Sequence, residues 1–328
     1  MATTQTDIPP ASDLLPLDRR IVLEMVRVTE GAAVEAARLI GRGDEKAADA
    51  AAVAAMRERL NNLPISGRVV IGEGERDEAP MLYIGEEVGQ GGPQIDIALD
   101  PLEGTTITAK AGQNALAVLA VAKRGNLLNA PDVYMNKLAV GGGLPEGVVD
   151  LDATPAENVR EFAKARGIAI DEVGVCVLDR PRHEELIADL RTVGCRVHLI
   201  SDGDVAGVIA TTNPQTAIDL YMGKGGAPEG VLAAAALRTV GGQFQGRLVF
   251  RNEDEKARAA RCGITDLNRK YELLDMARGD VVFAATGVTD GTLLHGVRRR
   301  AGKVWMQSVV MRASTGTVRW VQSESHAR

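Results

Sequence analysis

Asp100 and Glu103 flank the pair Pro101-Leu102, and Gly104-Thr105 follows at once. Alternation through Ile95-Asp96-Ile97-Ala98-Leu99 puts Ile95, Ile97 and Leu99 on one face of a strand. It delivers Asp100 at the strand's end, where Pro101 cannot donate to the ladder. Glu103 then falls across a turn, and Gly104 leaves the Thr105 hydroxyl and amide exposed. Two carboxylates beside a hydroxyl form a cradle for Mg2+ or Mn2+ and for an attacking water. A second acidic segment, Glu73-Gly74-Glu75-Arg76-Asp77-Glu78, follows the apolar run Val69-Val70-Ile71 and carries four acids within six residues. Its Gly72-Glu73-Gly74 is not a dinucleotide fingerprint: the third glycine is missing, and the acids would stand where a pyrophosphate needs backbone amides. An acidic loop drawn close by two glycines suits a hard divalent cation, with a solvated loop as the plainer alternative. A third carboxylate, Asp49, sits one helical turn before Val53 in the apolar stripe of Val53, Met56 and Leu60. Buried there it needs a cation, a donor cluster or a metal; at the stripe's wet edge it needs nothing.

Periodicity supplies the elements that hold these side chains. Apolar residues recur at helical spacing from Leu17 to Ile40 (Ile21, Met25, Val28, Ala32, Ala36), and Gly41-Arg42-Gly43 ends that helix. A second helix runs from about Asp44 to Leu60, where Asn61-Asn62-Leu63-Pro64 breaks it. Strands follow over Arg68–Gly72, Gln94–Asp100 and Ala115–Ala122. The second half changes rhythm: strand Val173–Leu178, helix His183–Val193, strand Arg196–Ile200, helix Val205–Thr211, strand Ala217–Tyr221, helix Glu229–Val240. Such alternation predicts a parallel sheet of βα units, and Lys303–Arg312 with Thr317–Gln322 predicts a closing hairpin turning at Gly316. The fold class is α/β, with an α+β first half and a parallel α/β second half. The expected organisation is a disordered tail over 1–16, a metal-binding α+β domain over 17–160 and an α/β substrate-binding domain over 161–328.

Composition narrows the partners. The 328 residues carry 38 Lys and Arg against 44 Asp and Glu, and aromatics make up 3%, so no basic, aromatic-interleaved surface for nucleic acid is expected. Cys176, Cys195 and Cys262 are odd in number and widely spaced, against both a disulfide framework and a zinc site. No long apolar run or basic, apolar leader occurs, so the expectation is a cytoplasmic protein without a membrane partner. His183 and His198 have no metal-ligand spacing and are assigned structural roles, and Arg298-Arg299-Arg300 is assigned to a solvated face.

Asp179-Arg180-Pro181-Arg182 follows one parallel strand and Ser201-Asp202-Gly203-Asp204 the next, so both loops open on the carboxyl edge of the sheet. Arg180 and Arg182, held apart by Pro181, can fork onto a phosphate. Asp202 and Asp204 can accept sugar hydroxyls or cap the following helix. Gly225-Gly226-Ala227-Pro228-Glu229 opens a helix whose free amides can approach a phosphate, and an acid in its first turn is favoured by the helix dipole alone.

The Asp100-Pro101-Leu102-Glu103-Gly104-Thr105 segment resembles the metal-binding signature of the inositol monophosphatase and fructose bisphosphatase superfamily. With Gly41–Asp44, Ile71–Glu86, Asp179–His183, Ser201–Val205 and Gly226–Gly230 falling in order, the chain from 17 to 325 resembles the class II fructose-1,6-bisphosphatases. It looks closest to the branch whose members also hydrolyse sedoheptulose-1,7-bisphosphate. The resemblance implies the superfamily's layered αβαβα sandwich, a homodimer or homotetramer, and a role in gluconeogenesis or the Calvin cycle. Carried over position by position, it implies divalent metal on Asp49, Glu73, Asp100, Glu103 and Glu229. It implies a sugar bisphosphate on Glu103, Gly104, Thr105, Tyr134, Arg180, Pro181, Arg182, Asp202, Gly203, Asp204 and Gly226. In that reading Thr105 orients the attacking water, with Asp77 or Glu73 as proton acceptor. Two positions depart from the family pattern: Glu45-Lys46 after Gly41–Asp44, and Lys224 before Gly225. The alternatives are a phosphatase of inositol phosphates or phosphoadenosine nucleotides, and a catalytically idle sugar-phosphate sensor.

Overall fold

The computed structural model describes residues 17–74 and 81–326. The expected tail and Asp77 lie outside the described residues. In chain order the first elements are α1 (Ile21–Ala37), α2 (Glu45–Asn61), β1 (Ser66–Ile71), β2 (Glu87–Val88), β3 (Gln94–Glu103), α3 (Thr105–Ala109) and β4 (Leu116–Lys123). Then come β5 (Tyr134–Val140), α4 (Pro155–Arg166), β6 (Gly174–Leu178), α5 (Glu184–Val193), β7 (Arg196–Ile200), α6 (Asp204–Ala210) and β8 (Leu220–Gly226). They are followed by α7 (Ala227–Val240), β9 (Gln243–Val249), α8 (Glu253–Arg261), β10 (Lys270–Glu272) and α9 (Leu273–Met276). The chain closes with β11 (Val282–Gly287), β12 (Arg298–Arg300), β13 (Lys303–Arg312) and β14 (Thr317–His326).

One unit takes the described residues up to Asn129 together with those from Ala277 onward, and the other takes Ala130–Met276. This differs from the expected boundary at 160, and it returns the C-terminal hairpin to the first unit. The reason is strand pairing: β11 lies antiparallel on β4, from Val282 opposite Val121 to Gly287 opposite Leu116. Both strands are buried almost throughout, so each offers an apolar surface only a distant partner can cover.

The first unit's eight-stranded sheet runs β12-β13-β11-β4-β3-β1-β2, with β14 on the other edge of β13. Helix α1 buries Ile21, Met25, Val28, Ala32 and Ala36 in the same core as Ala48, Ala52, Val53, Met56 and Leu60 of α2. Asp44 caps α2, its side chain accepting from the Ala47 amide at 2.9 Å. The hairpin is anchored to α1's entry by Asp280 and Arg312, which are 2% and 5% exposed. Asp280 Oδ2 accepts from Arg312 Nη2 at 2.7 Å and from the Leu17 amide at 2.8 Å. Burial alone would raise the Asp280 pKa, but these donors and Ser314 outweigh it and hold the carboxyl below its usual range. Arg312→Met leaves that charge buried and unpaired and is expected to cost ~3–5 kcal/mol in urea unfolding. A loss below ~1 kcal/mol would show that water reaches Asp280 and that the pair is dispensable.

The second unit's sheet runs β10-β9-β5-β8-β6-β7. Strands β7, β6 and β8 are parallel, as the alternation predicts. The βα rhythm continues through α7 into β9, but β5, from before the alternation begins, inserts between β8 and β9 antiparallel to both. The sheet is therefore mixed. No described helix is long and apolar enough to cross a membrane, and no disulfide forms among the described residues.

Candidate active site

In the first unit, β3 extends past the expected end at Asp100 to Glu103, and its pairing with β4 shifts register between Asp100 and Glu103. Pro101 is accommodated in that irregularity, where no ladder donor is required. Asp100 Oδ1 accepts from the Leu102 amide at 3.0 Å, while Glu103 is 4% exposed. Gly104 takes φ +91°, a left-handed conformation that an L side chain strains to adopt, and Thr105 then begins α3. Thr108 closes this turn, its amide and hydroxyl both donating to the Gly104 carbonyl.

The two other acids lie within electrostatic reach of each other. Asp49 flanks the buried stripe of α2 and is half-buried, and burial holds its carboxyl above the usual range. Glu73 follows β1, where its amide donates to the Leu82 carbonyl at 3.1 Å. That close approach requires glycine beside it, since a Cβ on Gly72 would stand 2.1 Å from the Leu82 oxygen. Burial, and then the negative charge of Asp49, push the Glu73 carboxyl up to about 8. Among the described residues no cation pairs with either group, and no three acidic, histidine or cysteine side chains close to metal-binding distance. The donor chemistry nonetheless suits a hard divalent cation, since the groups are carboxylate oxygens.

In the second unit, Tyr134, Arg180, Arg182, Asp202, Asp204, Gly226 and Glu229 line one cavity of about 330 Å³. Pro181 begins a one-turn 3₁₀ segment after β6, and His183 at its end ties β6 to β8. The Lys224 amide donates to His183 Nε2 at 2.8 Å, which leaves Nδ1 to donate to the Leu178 carbonyl at 2.8 Å. Burial, then the charges of Arg182 and Lys224, keep this imidazole's pKa low and the ring neutral. Arg182 Nε donates to the Lys224 carbonyl at 2.9 Å, so this position's main chain, not its lysine, does the positioning. The Arg182 guanidinium stacks 4.9 Å from the Tyr134 ring centre, and Arg251 stacks 5.2 Å from the same ring. Arg180 Nη2 lies 3.8 Å from Asp202 Oδ1. Burial raises the Asp202 pKa against that opposing charge. Gly203, at φ +82°, turns the chain into α6, and Asp204 packs on Lys137 instead of capping the helix.

Gly226 precedes α7, and a Cβ there would stand 1.9 Å from Glu229 Oε2. Burial, then the charge of Asp204, raise the Glu229 carboxyl to about 7. Among the described residues nothing donates to its buried Oε2. A buried carboxylate oxygen left unpartnered in this way has the chemistry to serve a divalent cation as a ligand. Lys137, Arg251 and Asp132 were not anticipated. Lys137 left one signal, a lysine in the inward register of Met135 and Ala139; Arg251 and Asp132 left none. Two guanidinium groups against one aromatic ring, a third lining the same cavity, and the acids beside them offer donors for a phosphate and acceptors for hydroxyls.

The sequence matches the family described as bacterial fructose-1,6-bisphosphatase, glpX-encoded, over residues 19–325. It is 47% identical over 320 residues to fructose-1,6-bisphosphatase 1 class 2 of Escherichia coli strain K12, covering 93% of this chain and 95% of that protein. The same figures hold for fructose-1,6-bisphosphatase class 2 of Shigella flexneri. An inositol monophosphatase structure from Anabaena (Nostoc) sp. PCC 7120 aligns at 14% identity and a TM-score of 0.30, covering 59% of this chain and 72% of that one.

Proposed function

Because the chain belongs to the bacterial, glpX-encoded fructose-1,6-bisphosphatase family, we propose that it hydrolyses the 1-phosphate of fructose-1,6-bisphosphate to fructose 6-phosphate and phosphate. The observation that carries the reading is the second unit's cavity, where arginines offer phosphate donors and acids offer acceptors for sugar hydroxyls. Arg180 and Arg182 hold the phosphate that stays attached, with Tyr134 bracing the Arg182 guanidinium flat. Asp49, Glu73, Asp100, Glu103 and Glu229 are the groups that would hold Mg2+ or Mn2+. Bound metal neutralises phosphoryl oxygens and lowers the pKa of water. The Thr105 hydroxyl orients the attacking water by donating and accepting at once, and Glu73 or Asp77 takes its proton. Sedoheptulose-1,7-bisphosphate presents the same phosphate and hydroxyl chemistry and is the second substrate.

Phosphate release from both bisphosphates, inositol 1-phosphate and 3′-phosphoadenosine 5′-phosphate tests the reading. Turnover confined to the bisphosphates supports it; preference for either of the other two overturns it, and tight binding without turnover favours a sensor. Within the reading, Arg182→Ala is expected to raise KM for fructose-1,6-bisphosphate by about tenfold or more with a much smaller fall in kcat, the signature of lost uniform binding. An unchanged KM would leave Arg182 a stacking and structural group.

Metal uptake should follow pH. Without metal the Glu73 carboxyl, raised to about 8, is largely protonated at neutral pH, and a ligand must shed that proton. Mn2+ affinity is therefore expected to strengthen as pH rises from about 6 to 8, with release near pH 7 of roughly one proton from Glu73 and a further fraction from Glu229, whose carboxyl is raised to about 7. Calorimetry in two buffers of different ionisation enthalpy reads the proton count, and a count of zero would show that Glu73 is not a ligand. The sign for the metal-free fold is opposite. A carboxyl raised on folding stabilises the protein at low pH and loses that contribution as pH climbs toward about 8.

A further inference from the structure

We propose that Lys137 is a positioning residue for the sugar: its ammonium pins the Asp204 carboxylate so that one oxygen stays directed at the hydroxyls of a bound sugar phosphate. The inference rests on reading the second unit's cavity as the sugar-phosphate site. Lys137 lies in the middle of β5 and is 2% exposed, where an ammonium without a partner would not be tolerated. Its Nζ donates to Asp204 Oδ2 at 2.5 Å, and the Tyr221 hydroxyl donates to the same oxygen at 3.5 Å. Asp204 is the first residue of α6, is 6% exposed and lines the cavity. With Oδ2 committed to these two donors, Oδ1 is the oxygen left to meet a ligand.

The main chain confines the pair. A Cβ on Gly225 would stand 2.1 Å from Asp204 Oδ2 and 3.1 Å from Lys137 Nζ. A Cβ on Gly230 would stand 3.3 Å from Lys137 Cε. Glycine at both positions lets β8 and the first turn of α7 close on the lysine and leaves it little room for another rotamer. A carboxylate held this way accepts from a hydroxyl and repels a phosphate, so it selects the sugar end of the substrate while the arginines take the anionic end. Lys137 acts only through Asp204, which predicts that its effect vanishes once Asp204 has lost its charge.

Calorimetric titration of fructose 6-phosphate and, separately, inorganic phosphate into wild type, Lys137→Met, Asp204→Asn and the double variant tests this. Lys137→Met and Asp204→Asn are each expected to weaken fructose 6-phosphate by about tenfold or more, with phosphate within about twofold of wild type and the double variant no weaker than Asp204→Asn. Equal losses for both ligands, an unchanged affinity in Lys137→Met, or additive losses in the double variant would overturn the proposal. If Lys137→Met does not fold because a lone carboxylate is left buried, the comparison of Asp204→Asn with the double variant decides. Equal affinities uphold the assignment, and a further loss beyond about threefold rejects it. A wild-type protein that binds phosphate but not fructose 6-phosphate removes the reading of the cavity and the inference with it. One that binds both and shows any of the failures above overturns the inference alone.

Discussion

Replacing Glu103 by glutamine is expected to lower kcat by ~10³-fold or more, about 4 kcal/mol of barrier, while thermal unfolding stays within a few degrees of wild type. Glutamine keeps the volume of a residue that is 4% exposed at the end of β3, so the packing of that strand survives. What it loses, on the proposed reading, is a full negative charge where a divalent cation would be held. Asp100→Asn should behave alike, because an asparagine oxygen can still accept from the Leu102 amide that Asp100 Oδ1 binds at 3.0 Å. Chelation by EDTA should silence the wild-type enzyme, and added Mg2+ or Mn2+ should restore it. Activity within about tenfold of wild type in both variants would sink the metal assignment of this segment, since that corresponds to only ~1.4 kcal/mol. Near-complete unfolding would move the two acids from the chemistry to the frame.

The second large effect is at Thr105. Its hydroxyl opens α3 immediately after Gly104, whose left-handed backbone turns the chain away from β3. If that hydroxyl links the attacking water to a carboxylate, Thr105→Ala should lose about 10²-fold or more in kcat with KM little changed. Thr105→Ser, which keeps the hydroxyl, should retain measurable turnover. The contrast separates a group that acts in the transition state from one that holds the turn. An alanine variant as fast as wild type at saturating substrate and metal would show that the water needs no help from this residue. A serine variant as inactive as alanine would point to the methyl group and its packing.

Local signals carried much of the architecture and most of the side chains singled out. The apolar spacing of α1, the alternation that leads into Asp100 and the βα rhythm from Gly174 to Val240 are properties of short segments, and these elements emerged as expected, except that the strand expected over Ala217–Tyr221 runs from Leu220 to Gly226. Seven anticipated residues line a single cavity in the second unit. The chain positions of Asp49 and Glu73 do not by themselves place the two carboxylates near one another, yet each loses solvent and Glu73 feels the charge of Asp49. That proximity depends on how the chain after β1 folds back on Leu82, a contact made through main-chain atoms that no side-chain pattern encodes.

Residue type and periodicity therefore determined which groups can do chemistry and on which element each rides, because strand and helix periods are local consequences of backbone geometry. Tertiary structure decided which of them meet. The pairing of β11 with β4 joins residues more than a hundred apart and draws the C-terminal hairpin into the first sheet. The insertion of β5 between β8 and β9 carries Lys137 to Asp204 and Tyr134 to Arg182. In both cases the choice of partner was made by burial of apolar strands on each other, a free energy that depends on the summed surface of distant segments and is written in none of them singly.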